Sequence, residues 1–270
     1  MPEIMAVVRR LTQNDLTAAV QLSESAGWNQ TPQDWRRLLE LEPDGCFDID
    51  AEGSLAATAT LLCHDERLAW LGMVLTRPDC RRRGYAGRLV ETALDFADQH
   101  RIATVKLDAS DVGHSLYLAR GFEDEQPVER WRRDPGPMEY PEIELHPGPP
   151  DLELDKLAFG ANRSRFLAAL GPAWRFHSGY LMHRAGRQAR HLGPCVARDA
   201  REAASAIRAA IATHADEPWL WDLPPGNGKA VEIARSLGFV PVRRLTRMRR
   251  GAPVLTDDNL VYALSGFEAG

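Results

Sequence analysis

Seven consecutive residues, Arg81, Arg82, Arg83, Gly84, Tyr85, Ala86 and Gly87, hold the densest chemistry in the sequence. Three guanidinium groups lead into positions with little or no side chain, where main-chain N–H groups can approach a ligand closely. That combination suits a pyrophosphate: guanidinium groups form charge-assisted hydrogen bonds to phosphate oxygens. A helix starting there would add unpaired N–H donors and a positive partial charge.

The flanking residues supply such a helix. The apolar run LAWLGMVL is stopped by Pro78, and after Ala86 apolar residues recur with helical spacing at Leu89, Val90, Ala93, Leu94 and Ala97. The order is therefore strand, basic turn, helix.

Upstream, Ile4 to Leu11 reads as a first strand and NDLTAAVQLSESAG as a helix ending at Gly27. Thr31, Pro32 and Asp34 form a cap, a first-turn proline and an acid at N3, which starts a second helix at Pro32 and leaves Trp28 and Asn29 in the loop between helices. CFDIDAEGSLAATATLLC alternates as strands with Glu52 and Gly53 at a hairpin turn. Beyond the helix that follows the basic turn, TVKLDAS is a strand expected to run parallel to LAWLGMVL. A short helix carrying Tyr117 follows and ends at Gly121, and GFEDEQPVERWRR closes the first half.

Residues 135–150 are dense in proline and glycine and read as an extended linker between an N-terminal domain, 1–134, and a C-terminal domain, 151–270. The second domain partly repeats the first: LYLARGFEDEQPVERWRR aligns with EIARSLGFVPVRRLTRMRR. The halves are chemically unequal. Where the first has TRPDCRRRGYAGRLV the second has ARDAREAASAIRAAI, without a glycine, and Ala234 falls where the first half has Tyr117. Asp222 follows the apolar strand WLW and precedes two prolines, so it is expected to emerge at a strand end.

At 270 residues the chain has room for two cores. A net charge of -5 argues against generic nucleic-acid binding. Four cysteines without C-x-x-C spacing suggest neither a metal site nor a disulfide framework. With no basic-then-apolar leader and no apolar run of spanning length, the reading is a cytoplasmic protein without a membrane partner.

The spacing Arg81-x-x-Gly84-x-Ala86 after a strand, with SLYLARGF at Ser115 to Phe122 downstream, resembles the acyl-CoA signature of the GNAT N-acetyltransferase superfamily. Gly27-Trp28-Asn29, Phe159-Gly160 with Arg163, Gly179-Tyr180 with Arg184 and Gly186, Gly193-Pro194-Cys195-Val196-Ala197 and Asp222-Leu223-Pro224 resemble a bacterial branch with a degenerate C-terminal GNAT domain. DVGHSLY departs from the superfamily in lacking an asparagine shortly before the tyrosine. The resemblance implies an α/β (α+β) fold of two tandem GNAT units, each a mixed, mostly antiparallel sheet flanked by helices. It implies an acyltransferase that moves an acetyl group from acetyl-CoA to a primary amine of a small molecule or peptide.

The same resemblance places the acyl-pantetheine arm along the backbone of Met73, Val74 and Leu75 and the pyrophosphate at Arg81 to Gly87. It makes Tyr117 the acid that protonates the departing thiolate and puts Trp28 and Asn29 on the acceptor side; the acceptor pocket is expected between the domains, with Tyr180 and Asp222 lining it from the other side. No general base is singled out among His64, Glu66, Asp108 and a water chain. A non-catalytic acyl-CoA sensor is the alternative.

Overall fold

The computed structural model describes residues 7–270. The expected first strand appears as β1, Val8–Arg10; positions 4–6 of that expectation lie outside the described residues. Helix α1 (Leu16–Ser25) is followed by α2 (Pro32–Leu41). At the start of α2 the Thr31 side chain accepts from the Asp34 N–H, and the Asp34 carboxylate accepts from the Thr31 N–H, the reciprocal cap read from the sequence. The antiparallel strands β2 (Cys46–Ala51), β3 (Ser54–Cys63) and β4 (Leu68–Thr76) follow. Glu52 and Gly53, both at positive φ, make the tight turn between β2 and β3.

Helix α3 (Tyr85–Gln99) crosses to β5 (Thr104–Ala109), which is parallel to β4. Then come α4 (Asp111–Leu118) and the long β6 (Glu123–Arg133). Residues read as extended linker contribute the edge strand β7 (His146–Gly148). The second half adds α5 (Leu152–Phe159), α6 (Ser164–Leu170), β8 (Ala173–Phe176), β9 (Gly179–Arg184) and β10 (Arg190–Ala197). It ends with α7 (Ala200–Thr213), β11 (Trp219–Leu223), α8 (Gly228–Ser236), β12 (Val240–Gly251) and β13 (Val261–Ala263).

Among the described residues, all thirteen strands belong to one mixed, mostly antiparallel sheet, ordered β1-β2-β3-β4-β5-β12-β6-β11-β10-β9-β8-β7, with β13 on β10. The halves meet by exchanging strands. The last long strand of the second half, β12, lies between β5 and β6 of the first, and β6 in turn pairs with β11 of the second.

Helices cover both faces of the first half. Leu89, Val90, Ala93, Leu94 and Ala97 of α3 pack on Ile49, Ala57, Ala59 and Leu71. Ala19 and Leu22 of α1 with Trp35, Leu38 and Leu39 of α2 pack on Met73 and Leu75 from the other side. In the second half, Ala203, Ala206, Ile207, Ala210 and Ile211 of α7 bury against Leu192, Trp219 and Trp221. No helix among the described residues is long and apolar enough to cross a membrane.

Candidate active site

Parallel pairing of β4 with β5 is confined to Leu68, Ala69 and Trp70 opposite Thr104, Val105 and Lys106; beyond these the strands separate. A bulge in β4 accompanies the separation. Register with β3 shifts between Gly72 and Leu75, and Met73 sits at φ +50°. The bulge exchanges the faces: Ala69 and Leu71 point to the α3 side, whereas Met73 and Leu75 point to the α1 and α2 side. Neither Met73 nor Val74 has a register partner on a neighbouring strand; the Met73 carbonyl accepts from the Thr58 hydroxyl at 2.8 Å.

A cavity of about 90 Å³ opens at this separation. Met73, Val74, Leu107 and Asp108 belong to its strand walls, and Tyr117 reaches it from α4. Trp28 and Gln30 line it from the α1–α2 loop. The rest of its wall comes from the shared strands and the end of the second half: Arg130 on β6, Arg243 and Leu245 on β12, then Phe267 and Glu268.

Tyr117 is 8% exposed, edge-on to Phe122 at 5.8 Å between ring centroids. Burial pushes its phenol up to about 12, against a small opposing effect of Arg120. No hydrogen bond joins its hydroxyl to another of the described residues, and Tyr117 belongs to the cavity wall.

Two buried carboxylates also line the cavity. Both oxygens of Asp108 are held by the Arg247 guanidinium, at 2.8 and 3.0 Å, and burial raises its pKa despite that partner. Glu268 is held by two different groups: one oxygen accepts from Arg184 at 2.8 Å and the other from the neutral Gln30 Nε2 at 3.0 Å. Burial raises its pKa too, with Arg184 opposing. His64 and Glu66 lie elsewhere. His64 is buried with Nε2 against the Ala269 carbonyl, and burial lowers it to about 3; Glu66 is exposed. His114 pairs with Asp124 at 2.7 Å.

The basic turn leaves the backbone at the start of α3 open. Gly84 occupies the position before α3 at φ +79°, a conformation costly for other residues, and an added Cβ would meet nothing within 4 Å. No side chain caps this helix and no acid stands in its first turn. Arg81, Arg82 and Arg83 are exposed. Gly87 has a different reason for being small: a Cβ there would approach Arg120 to 2.5 Å, so it permits packing of α3 against α4.

The corresponding features of the second half are closed. At the start of α7 the Asp199 side chain accepts from the Arg201 and Glu202 N–H groups, placing a carboxylate where the first half offers open donors. Strands β10 and β11 also separate after Leu192, but β13 fills the gap, with Leu264 N–H donating to the Asp222 carbonyl at 2.8 Å. Gly193 is obligatory beside it, since a Cβ would lie 1.9 Å from the Leu264 oxygen.

Three residues expected around the acceptor do not line the cavity. Asn29 is buried and clamps the 185–189 loop, accepting from the Gln188 and Ala189 N–H groups and donating to the Ala189 carbonyl. Tyr180 is fully buried; its hydroxyl donates to Asp155, which also holds Arg163 at 2.8 Å. Asp222 does not emerge at a strand end. It is fully buried opposite Arg130 and accepts from its Nε and NH2 at 2.7 and 2.6 Å. That fork outweighs burial and keeps Asp222 ionised below the usual carboxylate range.

These residues nevertheless join one network around the cavity. Arg163 donates to the Ser265 hydroxyl and the Gly270 carbonyl, and Arg184 donates to Asp34, the Ser265 carbonyl and Glu268. Together they fix the 265–270 segment, which presents Phe267 and Glu268. Asp34 sits at a pKa of about 2 despite burial, because Arg184, the Thr31 cap and Arg37 surround it. Sequence reasoning did not single out Gln30, Arg130, Arg243, Phe267 or Glu268; only their convergence in space distinguishes them.

A profile described as the GNAT acetyltransferase family matches residues 12–122, and one described as an acetyltransferase (GNAT) domain matches 152–263. A candidate acetyltransferase from Pyrococcus horikoshii superimposes with a TM-score of 0.88 at 21% identity, covering 100% of this chain and 98% of that one. A GCN5-related N-acetyltransferase from Sphaerobacter thermophilus gives 0.67 at 17% identity, covering 95% of this chain and 100% of that one. A tandem GNAT protein from the clavulanic acid biosynthesis pathway gives 0.64 at 16%, covering 92% and 99% of the two chains. No curated sequence matches. With a family match in each half and this fold over its whole length, the chain belongs to the GNAT acetyltransferase superfamily, in its tandem form.

Proposed function

We propose that the protein is an N-acetyltransferase that uses acetyl-CoA and a primary amine, with its chemistry at the β4–β5 separation. The observation that carries this reading is the meeting, in one cavity, of the unpartnered Tyr117 hydroxyl, the bulged backbone at Met73 and Val74, and the Glu268 carboxylate. In this reading residues 1–134 carry the donor site and the tyrosine, while 151–270 retain the fold and supply part of the acceptor wall.

Acetyl-CoA supplies an acetyl thioester, whose carbonyl carbon goes to the amine nitrogen as the C–S bond breaks. The Arg81 to Gly87 turn would hold the pyrophosphate, and Met73, Val74 and Leu75 would offer backbone to the pantetheine arm. The Val74 N–H, outside the β3–β4 register, is the donor for the carbonyl oxygen as negative charge develops there. Glu268 takes the proton from the attacking amine. It suits this better than Asp108, both of whose oxygens are held by the Arg247 guanidinium, because one Glu268 oxygen is held only by the neutral Gln30 amide. Tyr117 serves the departing sulfur. A phenol near 12 keeps its proton throughout the neutral range, and it stabilises the thiolate first by hydrogen bonding, since complete transfer is harder than from an ordinary phenol.

Thiol release from acetyl-CoA with a mixed amine panel, beside binding calorimetry, tests the assignment. Turnover is expected, with kcat reduced roughly 100-fold in Tyr117→Phe and acetyl-CoA affinity and thermal stability nearly unchanged. Binding without turnover on any amine would favour an acyl-CoA sensor. Near-normal kcat in Tyr117→Phe would remove the tyrosine from the chemistry.

A further inference from the structure

Asp222 on β11, Arg130 on β6 and Arg243 on β12 stand directly opposite one another across three adjacent strands. The charges run minus, plus, plus. Asp222 occupies the Nε and NH2 of Arg130, and no carboxylate lies within ion-pair distance of Arg243 among the described residues. Like charges directly opposite in a sheet destabilise it. The other charges around the cavity are matched: Asp108 with Arg247, Glu268 with Arg184, and Asp34 with Arg184 and Arg37. Arg243 is exposed to solvent on one side, and both it and the part-buried Arg130 line the cavity, so an anion entering there meets two guanidinium groups answered by one carboxylate.

A second group is incomplete in the complementary sense. Gln30 Nε2 donates to Glu268, which leaves Gln30 Oε1 as the acceptor, and that oxygen is buried with no partner among the described residues. A buried acceptor calls for an N–H. The same small cavity thus has an open acceptor next to the Glu268 carboxylate and an unpaired guanidinium on β12.

We infer that the acceptor is a small amine carrying its own carboxylate, with the amine donating to Gln30 Oε1 beside Glu268 and the carboxylate pairing with Arg243. This rests on the N-acetyltransferase reading and names its substrate class. An anion there also offsets the like-charge contact between Arg130 and Arg243, of which solvent at the exposed Arg243 screens a part. A phosphate-bearing amine shares the oxyanion chemistry; the volume of about 90 Å³ favours the smaller carboxylate.

Matched amines decide the matter. Glycine, β-alanine and 4-aminobutyrate are compared with their carboxamides, which have the same length without the charge, and with 2-aminoethyl phosphate. kcat/KM is read by thiol release, and the acetylated product by mass spectrometry. At least one acid should exceed its amide by about tenfold or more, the lower end for a hydrogen bond to a charged group. Arg243→Gln should bring that ratio to within about threefold of unity, and Arg243→Lys should restore part of it. Arg244→Gln should keep it, because Arg244, exposed like Arg243, stands opposite Glu129 and does not line the cavity. Amides turned over as well as acids would overturn the inference and leave the N-acetyltransferase reading intact, and preference for the phosphate would overturn the carboxylate. Acetyl-CoA binding without acetylation of any amine would overturn both.

Discussion

Replacing Asp222 with alanine should weaken the whole fold, because it strands Arg130 in a place already short of negative charge. The Asp222 side chain is 0% exposed and the Arg130 side chain 12%, so water screens the pair poorly. Breaking such a pair from one side costs about 3–5 kcal/mol, most of it the penalty of the charge left behind. With an unfolding entropy of about 2.1 cal/mol/K per residue, a chain of 270 residues changes by about 0.57 kcal/mol per degree, so Tm should fall by about 5–9 °C. Access through the cavity favours the lower end. Asp222→Leu with Arg130→Met should recover most of the loss, since no buried charge then remains unpaired. Burial opposes ionisation of Asp222, but Arg130 prevails and depresses its folded pKa. Its stabilisation is therefore present above the unfolded value of about 3.9 and lost as pH falls through the folded one. The gap between wild type and Asp222→Ala should narrow below about pH 4. Thermal denaturation followed by circular dichroism reads each quantity; a single-variant shift under about 2 °C, or a double variant less stable than the single, would refute the argument.

Two further outcomes concern the reaction. Gly84→Ala has room for its methyl group but not the φ of +79°, so acetyl-CoA affinity measured by calorimetry should drop, with a stability loss of about 1–2 kcal/mol; Asp199→Ser, which keeps a cap on α7, should leave that affinity unchanged. Glu268→Gln should lower kcat roughly 100-fold. It should also abolish an acidic limb in the wild-type pH–rate profile, where activity falls as pH drops through a Glu268 pKa that burial lifts above the ordinary value; an unchanged limb in the variant would dismiss Glu268 as the base.

Much of the local structure was legible. Apolar spacing and Pro78 marked the end of β4 and the course of α3, and Thr31 with Asp34 marked the start of α2 within a residue. Partnership between strands was not. β6 and β12 each read as a strand at the end of its own half, and side-chain alternation carries no information about which edge a strand joins. Asp222 shows the cost: WLWDL looked like a strand that ends at a site, yet β11 is buried throughout and its aspartate is answered by Arg130, 92 residues away in sequence. Glu268 and Arg243 were equally invisible. Each is an ordinary charged residue until the fold gathers them around Tyr117. The short strand β13 was missed because three residues give too little periodicity to register, although they close the gap that in the first half stays open.

The exchange of β6 and β12 has a consequence for how the chain is made. During synthesis the first half emerges with the sheet edge of β5 bare, and its cover, β12, follows about 130 residues later. At roughly 5–20 residues per second that edge waits for many seconds, open to pairing with another nascent chain. The second half faces the reverse situation, since β6 is ready before β11 appears. Each half thus completes its part of the sheet with a strand from the other. The β5 edge of the first half is not closed until the second half has been translated.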